Sequence, residues 1–377
     1  METTDLVTTV SLSYPSFPDY SEDDEDYGDS SPCDLTETWR FTRLFAPTAY
    51  IIVFILAVLG NVLVLFVIRR YRRSHSPCSF SLTDTFLLHL AISDLLLALT
   101  LPFFAGQWIN GWVFGIGICK VAGALFSLNV YCGVLFLACI SFDRYLAIVH
   151  AVHTSWRHNT CLAQLACTVI WICCIGLAVI DIHFRNVVSL PGYEKDVCLL
   201  DFNSKDSEKW HLSLQLVSLV LGFGLPLLVM LYCYLHIFHS LCRTSSRRQK
   251  RRSLRLIISL VAVFVICWAP YNIFKMVDSL SRLNIVTPSC TLNYVLDISI
   301  LVTETLGLSH SAFNPLLYGF VGVKFRRELF KMFKTVLRSV RCLGMTERVH
   351  SQGISRRPTG SFSSAESDNT SYFSVVA

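Results

Sequence analysis

The sequence predicts an all-α membrane protein, a seven-transmembrane helix bundle with a short amphipathic eighth helix. Composition is the first observation behind this prediction. Of the 377 residues, 53% are hydrophobic and only 16% are charged, with a mean hydropathy of +0.51, whereas a soluble domain carries about 25% charged residues. The second observation is that seven long runs are almost free of charge. At 1.5 Å of rise per residue, a helix over each run is long enough to cross about 30 Å of hydrocarbon.

The seven runs are called spans 1 to 7 in chain order. They cover residues 45–68, 86–118, 121–142, 161–180, 212–235, 256–274 and 298–323. Spans 2 and 7 contain one carboxylate each, Asp94 and Glu304, and the other five contain no charge. An alternating barrel-strand pattern is absent, so helices must satisfy the backbone polar groups in lipid. The predicted domains are an acidic N-terminal arm (1–44), the bundle (45–321), a membrane-surface helix (322–341) and a Ser/Thr-rich tail (342–377).

The distribution of basic residues predicts the orientation of the spans. They cluster after spans 1, 5 and 7, while residues 1–44 hold 11 carboxylates against only Arg40 and Arg43. Because short loops rich in Lys and Arg stay in the cytoplasm, we expect a multi-pass plasma-membrane protein with its N-terminus outside the cell and its C-terminus inside. No signal peptide is visible before span 1, so span 1 is expected to serve as its own insertion signal.

The N-terminal arm contains a dense acidic cluster. Seven of the eleven residues in 19–29 are carboxylates, although the whole chain carries a net charge of +5. Such a cluster on a tether attracts a cationic ligand and speeds its encounter, over about 8 Å at physiological salt. A solvated disordered tail has the same composition and stays open as the alternative. The candidate ligand-binding residues of the arm are Tyr20, Glu22, Asp23, Asp24, Glu25, Asp26 and Tyr27.

Four of the 15 cysteines fall in segments predicted to lie outside the cell. They are Cys33, Cys119, Cys198 and Cys290. An oxidising exterior favours two disulfides, each worth roughly 2–4 kcal/mol. Four cysteines allow three pairings, and spacing alone does not choose among them.

Polar residues inside the spans are candidates for function. A charge at the bilayer centre costs about 2.5–3.5 kcal/mol on insertion scales, so Asp94 is expected to face the bundle interior. Asn61 and Asn314 lie at a similar depth and can join it in one cluster. That cluster is either a structural network or a sodium or proton site. At the end of span 3, Asp143 and Arg144 are adjacent charges at the lipid boundary, and an interfacial anchor is their alternative role.

Spans 5, 6 and 7 each contain an interior proline. Pro226, Pro270 and Pro315 each remove a backbone hydrogen bond and can kink their helices. Trp268 lies two residues before Pro270. Three such prolines indicate a bundle built with hinges.

These motifs, taken in order, resemble those of rhodopsin-like (class A) G-protein-coupled receptors over roughly residues 40–335. The matching motifs are Asn61, LAISD (90–94), Cys119, DRY (143–145), Trp171, Pro226, Tyr234, CWAP (267–270) and NPLLY (314–318). Within that class the chain is similar to chemokine receptors through TLP (100–102), WVFG (112–115) and DRYLAIVHA (143–151). Residues 119–151 most resemble the CXC type 3 receptors, and the longer DRYLAIVHAVH segment resembles type 5 as well.

The resemblance implies a CXC chemokine, a small basic protein, as the ligand. It implies the disulfides Cys33–Cys290 and Cys119–Cys198, and sulfation of the two tyrosines in the arm. It also implies a second contact in a cavity inside the bundle, where three carboxylates would receive the ligand's basic N-terminus. For each carboxylate, an interhelical salt bridge is the alternative. The candidate cavity residues are Phe104, Trp108, Phe126, Asp181, Trp268, Tyr271, Asp278 and Glu304.

The resemblance further implies signalling through a heterotrimeric G protein of the Gi class, which drives calcium release and chemotaxis. The expected switch residues are Asp143, Arg144, Tyr145, Tyr234, Trp268, Pro270, Asn314, Pro315 and Tyr318. An atypical scavenging receptor that signals through arrestin only is the alternative, and the intact DRY motif favours G-protein signalling. No enzyme is expected because no paired catalytic motif is present, and no nucleic-acid partner is expected.

An allosteric sodium ion is the single candidate cofactor that the resemblance implies. Its candidate ligands are Asp94, Asn129, Ser311 and Asn314, although Gly133 stands where many class A receptors place a serine ligand.

Beyond span 7, apolar residues spaced on one helical face predict a helix that lies on membrane lipids. Cys342 is a candidate palmitoyl site, with an ordinary reduced thiol as the alternative. Receptor kinases and arrestin are the expected partners of the tail, because phosphates there would recruit a basic protein. The candidate phosphorylation sites are Ser361, Ser363, Ser364 and Ser367.

Overall fold

The computed structural model describes most of the bundle. The described residues are 36–74, 82–150, 160–189, 195–202, 207–243, 248–287, 289–321, 325–332 and 334. Within them, six helices are long and apolar enough to cross a membrane, and they correspond to spans 1 to 6. A seventh long helix, Cys290–Val321, contains span 7. It falls below the mean hydropathy of the other six because it carries polar side chains such as Glu304, His310 and Asn314.

Besides span 7, four spans each form a single uninterrupted helix. They are Thr36–Ser74 for span 1, Gly115–Ile148 for span 3, Thr160–Phe184 for span 4 and Arg248–Arg282 for span 6. The helices of spans 6 and 7 continue through Pro270 and Pro315.

Spans 2 and 5 are interrupted near their prolines. Span 2 consists of Leu82–Ala98 and Leu101–Asn110, with a proline in the first turn of the second helix. Span 5 consists of Ser207–Leu219, a π-helical segment Val220–Gly224, and Leu225–Arg243. Proline lacks an N–H and clashes with the preceding turn, so a break or a bulge relieves it at these places.

The helix of span 1 begins well before the predicted boundary of the bundle. It starts at Thr36 rather than near residue 45. The added turns pack against span 2, where the rings of Trp39 and Trp108 lie 6.2 Å apart. The end of the predicted arm therefore belongs to the helix of span 1.

A two-stranded hairpin connects spans 4 and 5. Its strands are β1 (Arg185–Ser189) and β2 (Asp196–Leu200), antiparallel, with Val187 opposite Cys198. The Cys119–Cys198 disulfide joins β2 to the start of span 3 and confirms that predicted pair. We call this end of the bundle the hairpin end. The opposite end, where span 3 finishes, is called the Arg144 end.

The core of the bundle lies between spans 2 to 6, around the fully buried Leu90, Phe136, Met230, Leu260 and Trp268. The outer faces are also apolar. Water-soluble proteins rarely show contiguous apolar surface beyond a few hundred Å², and the outward faces of spans 1, 4 and 5 are therefore suited to contact lipid chains. Examples are Leu59, Ile172 and Leu235, with exposed fractions of 65%, 64% and 70%.

Candidate functional site

A cavity of about 590 Å³ lies at the hairpin end of the bundle. Four predicted ligand-binding residues line it: Phe104, Trp108, Phe126 and Glu304. The hairpin contributes Arg185 and β2 to its wall. The sequence prediction missed its other polar lining residues, which are Tyr50, Gln107, Arg185, His211, Lys275 and Arg282.

A second, smaller cavity of about 200 Å³ shares part of this wall. Phe126, Arg185, Lys275 and Glu304 line both cavities. The smaller one also contains three predicted residues, Asp181, Trp268 and Tyr271. Seven of the eight predicted cavity residues therefore lie at one of these two adjoining spaces.

Asp181 is paired with neighbouring side chains, which compensate its charge. Arg185 Nε lies 2.9 Å from its carboxylate, and the Ser127 hydroxyl donates a hydrogen bond to it. Arg185 in turn occupies the space beside Gly123, where a Cβ would overlap its guanidinium. Asp181 thus forms a salt bridge with Arg185, four residues further along the chain, rather than the interhelical salt bridge given as its alternative, and it lines the smaller cavity.

Asp278 lines neither of the two cavities and is the centre of an ion cluster instead. Its carboxylate lies 3.1 Å from Arg282 Nε, 3.7 Å from Lys275 Nζ and 4.0 Å from His211 Nε2. Positions three and four residues apart share a helix face, and this spacing brings Lys275 and Arg282 to it. Asp181 and Asp278 are thus paired with bases that the sequence prediction did not consider.

Glu304 is the candidate carboxylate that remains available to a ligand in the two cavities. It lines both, and within the described part of the chain it makes no hydrogen bond or ion pair. Lys275 and Arg185 line the same two spaces. A ligand that enters therefore meets one carboxylate free to bind a cation, next to two bases that restrict its placement.

A hydrogen-bonded latch joins spans 2 and 3 at the Arg144 end. The Thr83 hydroxyl donates to Asp143 Oδ2 over 2.7 Å, and an Arg144 Nη donates to the same hydroxyl. Arg144 Nε lies 3.5 Å from the Asp143 carboxylate. The sequence prediction missed Thr83, because its partner Asp143 lies 60 residues further along the chain and no local pattern indicates the contact.

Three other expected switch residues, Tyr145, Tyr234 and Trp268, lie inside the bundle or near its Arg144 end. Tyr234 of span 5 is hydrogen-bonded to Ser141 of span 3 over 2.7 Å. The Tyr145 hydroxyl lies 2.8 Å from His150 Nε2. Trp268 is buried, and a Cβ at Gly307 would lie 3.0 Å from its ring. Spans 3, 5, 6 and 7 therefore meet around these side chains.

The comparisons with known proteins identify the family. The model of the 7 transmembrane receptor (rhodopsin family) matches residues 60–318. The C-X-C chemokine receptor type 3-2 of Danio rerio is 64% identical over 98% of this chain and 99% of its own length. The chain belongs to the C-X-C chemokine receptors of the rhodopsin family. The human C-X-C chemokine receptor type 3 is 40% identical over 94% of this chain and 90% of its own length. The human C-X-C chemokine receptor type 5 is 42% identical over 78% of this chain and 77% of its own length.

Family membership confirms several predictions for the receptor. It is a multi-pass membrane protein with a seven-transmembrane bundle. The resemblance to CXC type 3 receptors, with type 5 close behind, is confirmed by the relatives. Its family is one of receptors, so the prediction that it is not an enzyme also holds.

The polar cluster around Asp94 lies in the middle of the receptor. Asn129 Nδ2 donates to Asp94 Oδ1 over 3.1 Å, and Asn314 Nδ2 donates to Oδ2 over 2.8 Å. Asn61 donates to the backbone oxygen of Ser311 over 2.9 Å and so ties span 1 to span 7. The cluster joins spans 1, 2, 3 and 7.

The sodium site at Asp94, Asn129, Ser311 and Asn314 stays a prediction, and within the described residues the Asn129 Oδ1 atom is a buried acceptor without a hydrogen-bond partner. Both Asp94 oxygens face amide N–H donors, and the Ser311 hydroxyl donates to Leu308 O of its own helix over 2.8 Å. His310, which the sequence prediction missed, places its Nε2 3.8 Å from Asp94 Oδ1. Trp268 Nε1 lies 3.2 Å from the other ring nitrogen of that histidine. The His310 imidazole thus lies between Asp94 and Trp268, with a hydrogen bond from Trp268 and none to Asp94 among the described residues.

Several predicted sites lie outside the described residues and stay predictions. They are Tyr20, Glu22, Asp23, Asp24, Glu25, Asp26, Tyr27, Cys33, Cys342, Ser361, Ser363, Ser364 and Ser367. The Cys33–Cys290 pair stays a prediction for the same reason. The backbone of Tyr318 is helical, but its side chain is also outside the description.

Proposed function

We propose that the receptor binds a basic CXC chemokine outside the cell and activates a heterotrimeric G protein of the Gi class. The observation that carries the proposal is Glu304, a carboxylate that lines both cavities at the hairpin end and makes no hydrogen bond or ion pair among the described residues. A basic ligand N-terminus supplies the partner that this group lacks, and a charge-assisted hydrogen bond is about twice as strong as a neutral one. The similarity to proteins named chemokine receptors supports the class of ligand.

The acidic arm provides the first contact in this proposal. Its seven carboxylates precede the start of span 1 at Thr36, and the hairpin end faces the extracellular space with it. Electrostatic attraction raises the rate of encounter, and sulfated Tyr20 and Tyr27 would add further negative charge. The cavity then receives the ligand's N-terminus as the second contact.

In this proposal, the latch at the Arg144 end transmits ligand binding to the G protein. Thr83, Asp143 and Arg144 hold one another in the described state. A ligand shifts the equilibrium only if it binds the open state more tightly than this one. Movement of span 6 about Pro270, driven from Trp268 at the cavity, would release Arg144 to a G-protein helix. Calcium release and chemotaxis follow from Gi activation.

The experiment is a panel of CXC chemokines applied to cells that express the receptor, with Gi activation and arrestin recruitment measured in parallel. At least one chemokine is expected to activate Gi. Arg144→Ala is the matched variant, and it should keep chemokine binding and lose Gi activation. Arrestin recruitment without Gi activation in the unmodified receptor would show the scavenging alternative, and no binding by any member would contradict the proposal.

A further inference from the structure

A short helix follows span 7, and one of its faces is strongly basic. Residues 325–332 are helical in the described part of the chain. Four exposed bases and one aromatic side chain line a space of about 610 Å³ beside this helix. They are Arg326, Arg327, Phe330, Lys331 and Lys334. At about 100° of rotation per residue, these five positions fall within an arc of about 140° on a helix.

The side chains outside this arc are turned toward the protein. Phe325 packs against the core of the bundle, and Glu328 is only 3% exposed. Glu328 accepts a hydrogen bond from Lys331 over 2.6 Å. The bundle therefore covers one side of the helix, and the basic face remains open to a partner.

Three of the four bases are free to bind an anion. Among the described residues, the side chains of Arg326, Arg327 and Lys334 make no hydrogen bond or ion pair. The planar guanidinium of arginine binds two phosphate oxygens at once. Basic clusters of this size next to the cytoplasmic end of a membrane span favour anionic lipids, among them the phosphoinositides.

The aromatic side chain favours a lipid over a soluble phosphate. Phe330 is 62% exposed although it stands between the bases. An aromatic ring beside basic groups is suited to the boundary between lipid headgroups and acyl chains. An inositol ring with several phosphates contacts several of these bases together, whereas the phosphatidylserine headgroup carries one net negative charge.

We propose that this face binds the headgroup of a polyphosphorylated inositol lipid, with Arg326, Arg327 and Lys334 on its phosphates and Phe330 against its acyl chains. The bound lipid holds the helix after span 7 on the membrane leaflet at the Arg144 end. The inference uses the predicted orientation, in which this end faces the cytoplasm, and goes beyond the proposed function because it needs neither a chemokine nor a G protein.

The test is native mass spectrometry of the purified full-length receptor with three probes: phosphatidylinositol bisphosphate, phosphatidylserine and free inositol trisphosphate. The bisphosphate lipid is expected to bind at least about tenfold more tightly than phosphatidylserine. Arg326→Gln combined with Arg327→Gln should weaken its binding about 30-fold, the effect of two cations at a lipid surface. The matched control combines Arg69→Gln with Arg73→Gln, which removes the same charge from exposed positions at the end of span 1 and should change binding little.

Phe330→Ala distinguishes the lipid from its free headgroup. It should weaken binding of the bisphosphate lipid about fivefold and leave binding of inositol trisphosphate unchanged, because only the lipid has acyl chains for the ring to contact. Free inositol trisphosphate that binds as tightly as the lipid would overturn the lipid as the ligand.

Two other results would overturn the proposal itself. One is equal binding of phosphatidylinositol bisphosphate and phosphatidylserine, which is also the result expected of a face that serves only a protein partner. The other is an equal loss of binding in the control and in the Arg326 and Arg327 variant, which would show an effect of net charge alone. If that variant does not yield folded receptor, Lys334→Gln carries the same test with an expected loss of about fivefold.

Discussion

Thr83 of span 2 donates its hydroxyl hydrogen to the Asp143 carboxylate of span 3, with an oxygen–oxygen distance of 2.7 Å. The same hydroxyl accepts a hydrogen bond from Arg144. One side chain is therefore hydrogen-bonded to both charged members of the DRY motif and links them to a different span. Its loss should remove this link between spans 2 and 3 without removing any charge.

Thr83→Val keeps the shape of the side chain and removes the hydroxyl. In the proposed function the latch holds only the inactive state, so we expect basal nucleotide exchange to rise about 10- to 100-fold, the effect of losing one hydrogen bond to a charged group. Exchange of guanine nucleotide on Gi without ligand is the measurement. Thr48→Val, which removes a hydroxyl bonded only to Leu44 O of its own helix, is the control. Equal basal rates in the two variants would exclude the latch as a restraint.

Glu304 and Asp278 are expected to differ sharply as ligand contacts. Glu304→Gln should lower chemokine potency by roughly 10- to 100-fold, because a hydrogen bond to a charged group is worth about 1.5–3 kcal/mol. Asp278→Asn should change potency little, since its carboxylate is already shared by Arg282, Lys275 and His211. The measurement is a dose–response of Gi activation at matched surface expression. A larger effect at Asp278 than at Glu304 would contradict the assignment.

Gly123 leaves the space that Arg185 fills. A Cβ there would overlap the guanidinium, so Gly123→Ala should push Arg185 away from Asp181 and destabilise the receptor by about 1–3 kcal/mol, the usual cost of overpacking. Thermal unfolding of the purified receptor measures this. The same change in an Arg185→Ala background should cost almost nothing, which a double-mutant cycle reports. Gly117→Ala, with open space at its Cβ, is the control, and a loss in that variant as large as at Gly123 would refute the explanation.

The carboxylates of the arm should act through long-range charge. Changing Glu22, Asp23, Asp24, Glu25 and Asp26 to their amides should slow chemokine association and flatten its dependence on salt, because screening acts over about 8 Å at physiological ionic strength. Association rates at several salt concentrations are the measurement. Amides at Glu2 and Asp5, outside the cluster, serve as the control. An unchanged rate and salt slope after the five changes would reject a role for the cluster.

The sequence alone was sufficient for the spans and for much of the cavity. Charge is so costly in lipid that long uncharged runs locate the spans. The TLP motif marks the place where span 2 is interrupted, between Ala98 and Leu101. The early start of span 1 was missed because Glu37, Arg40 and Arg43 make its first turns too polar for a hydropathy argument.

The pairing of the carboxylates was harder to predict. Arg185 follows Asp181 by one helical turn, and Arg282 follows Asp278 by the same interval, so a search at that spacing would have found both. Contacts such as Thr83 with Asp143, or His310 with Asp94, join distant parts of the chain. They depend on how the helices pack, which no local pattern encodes.

Nucleotide exchange on purified Gi by the purified receptor in nanodiscs tests the central claim most directly. With a panel of CXC chemokines, at least one member is expected to accelerate exchange, and Arg144→Ala should abolish that acceleration while binding of the same chemokine persists. Exchange that no chemokine accelerates, or acceleration that survives in Arg144→Ala, would contradict the account.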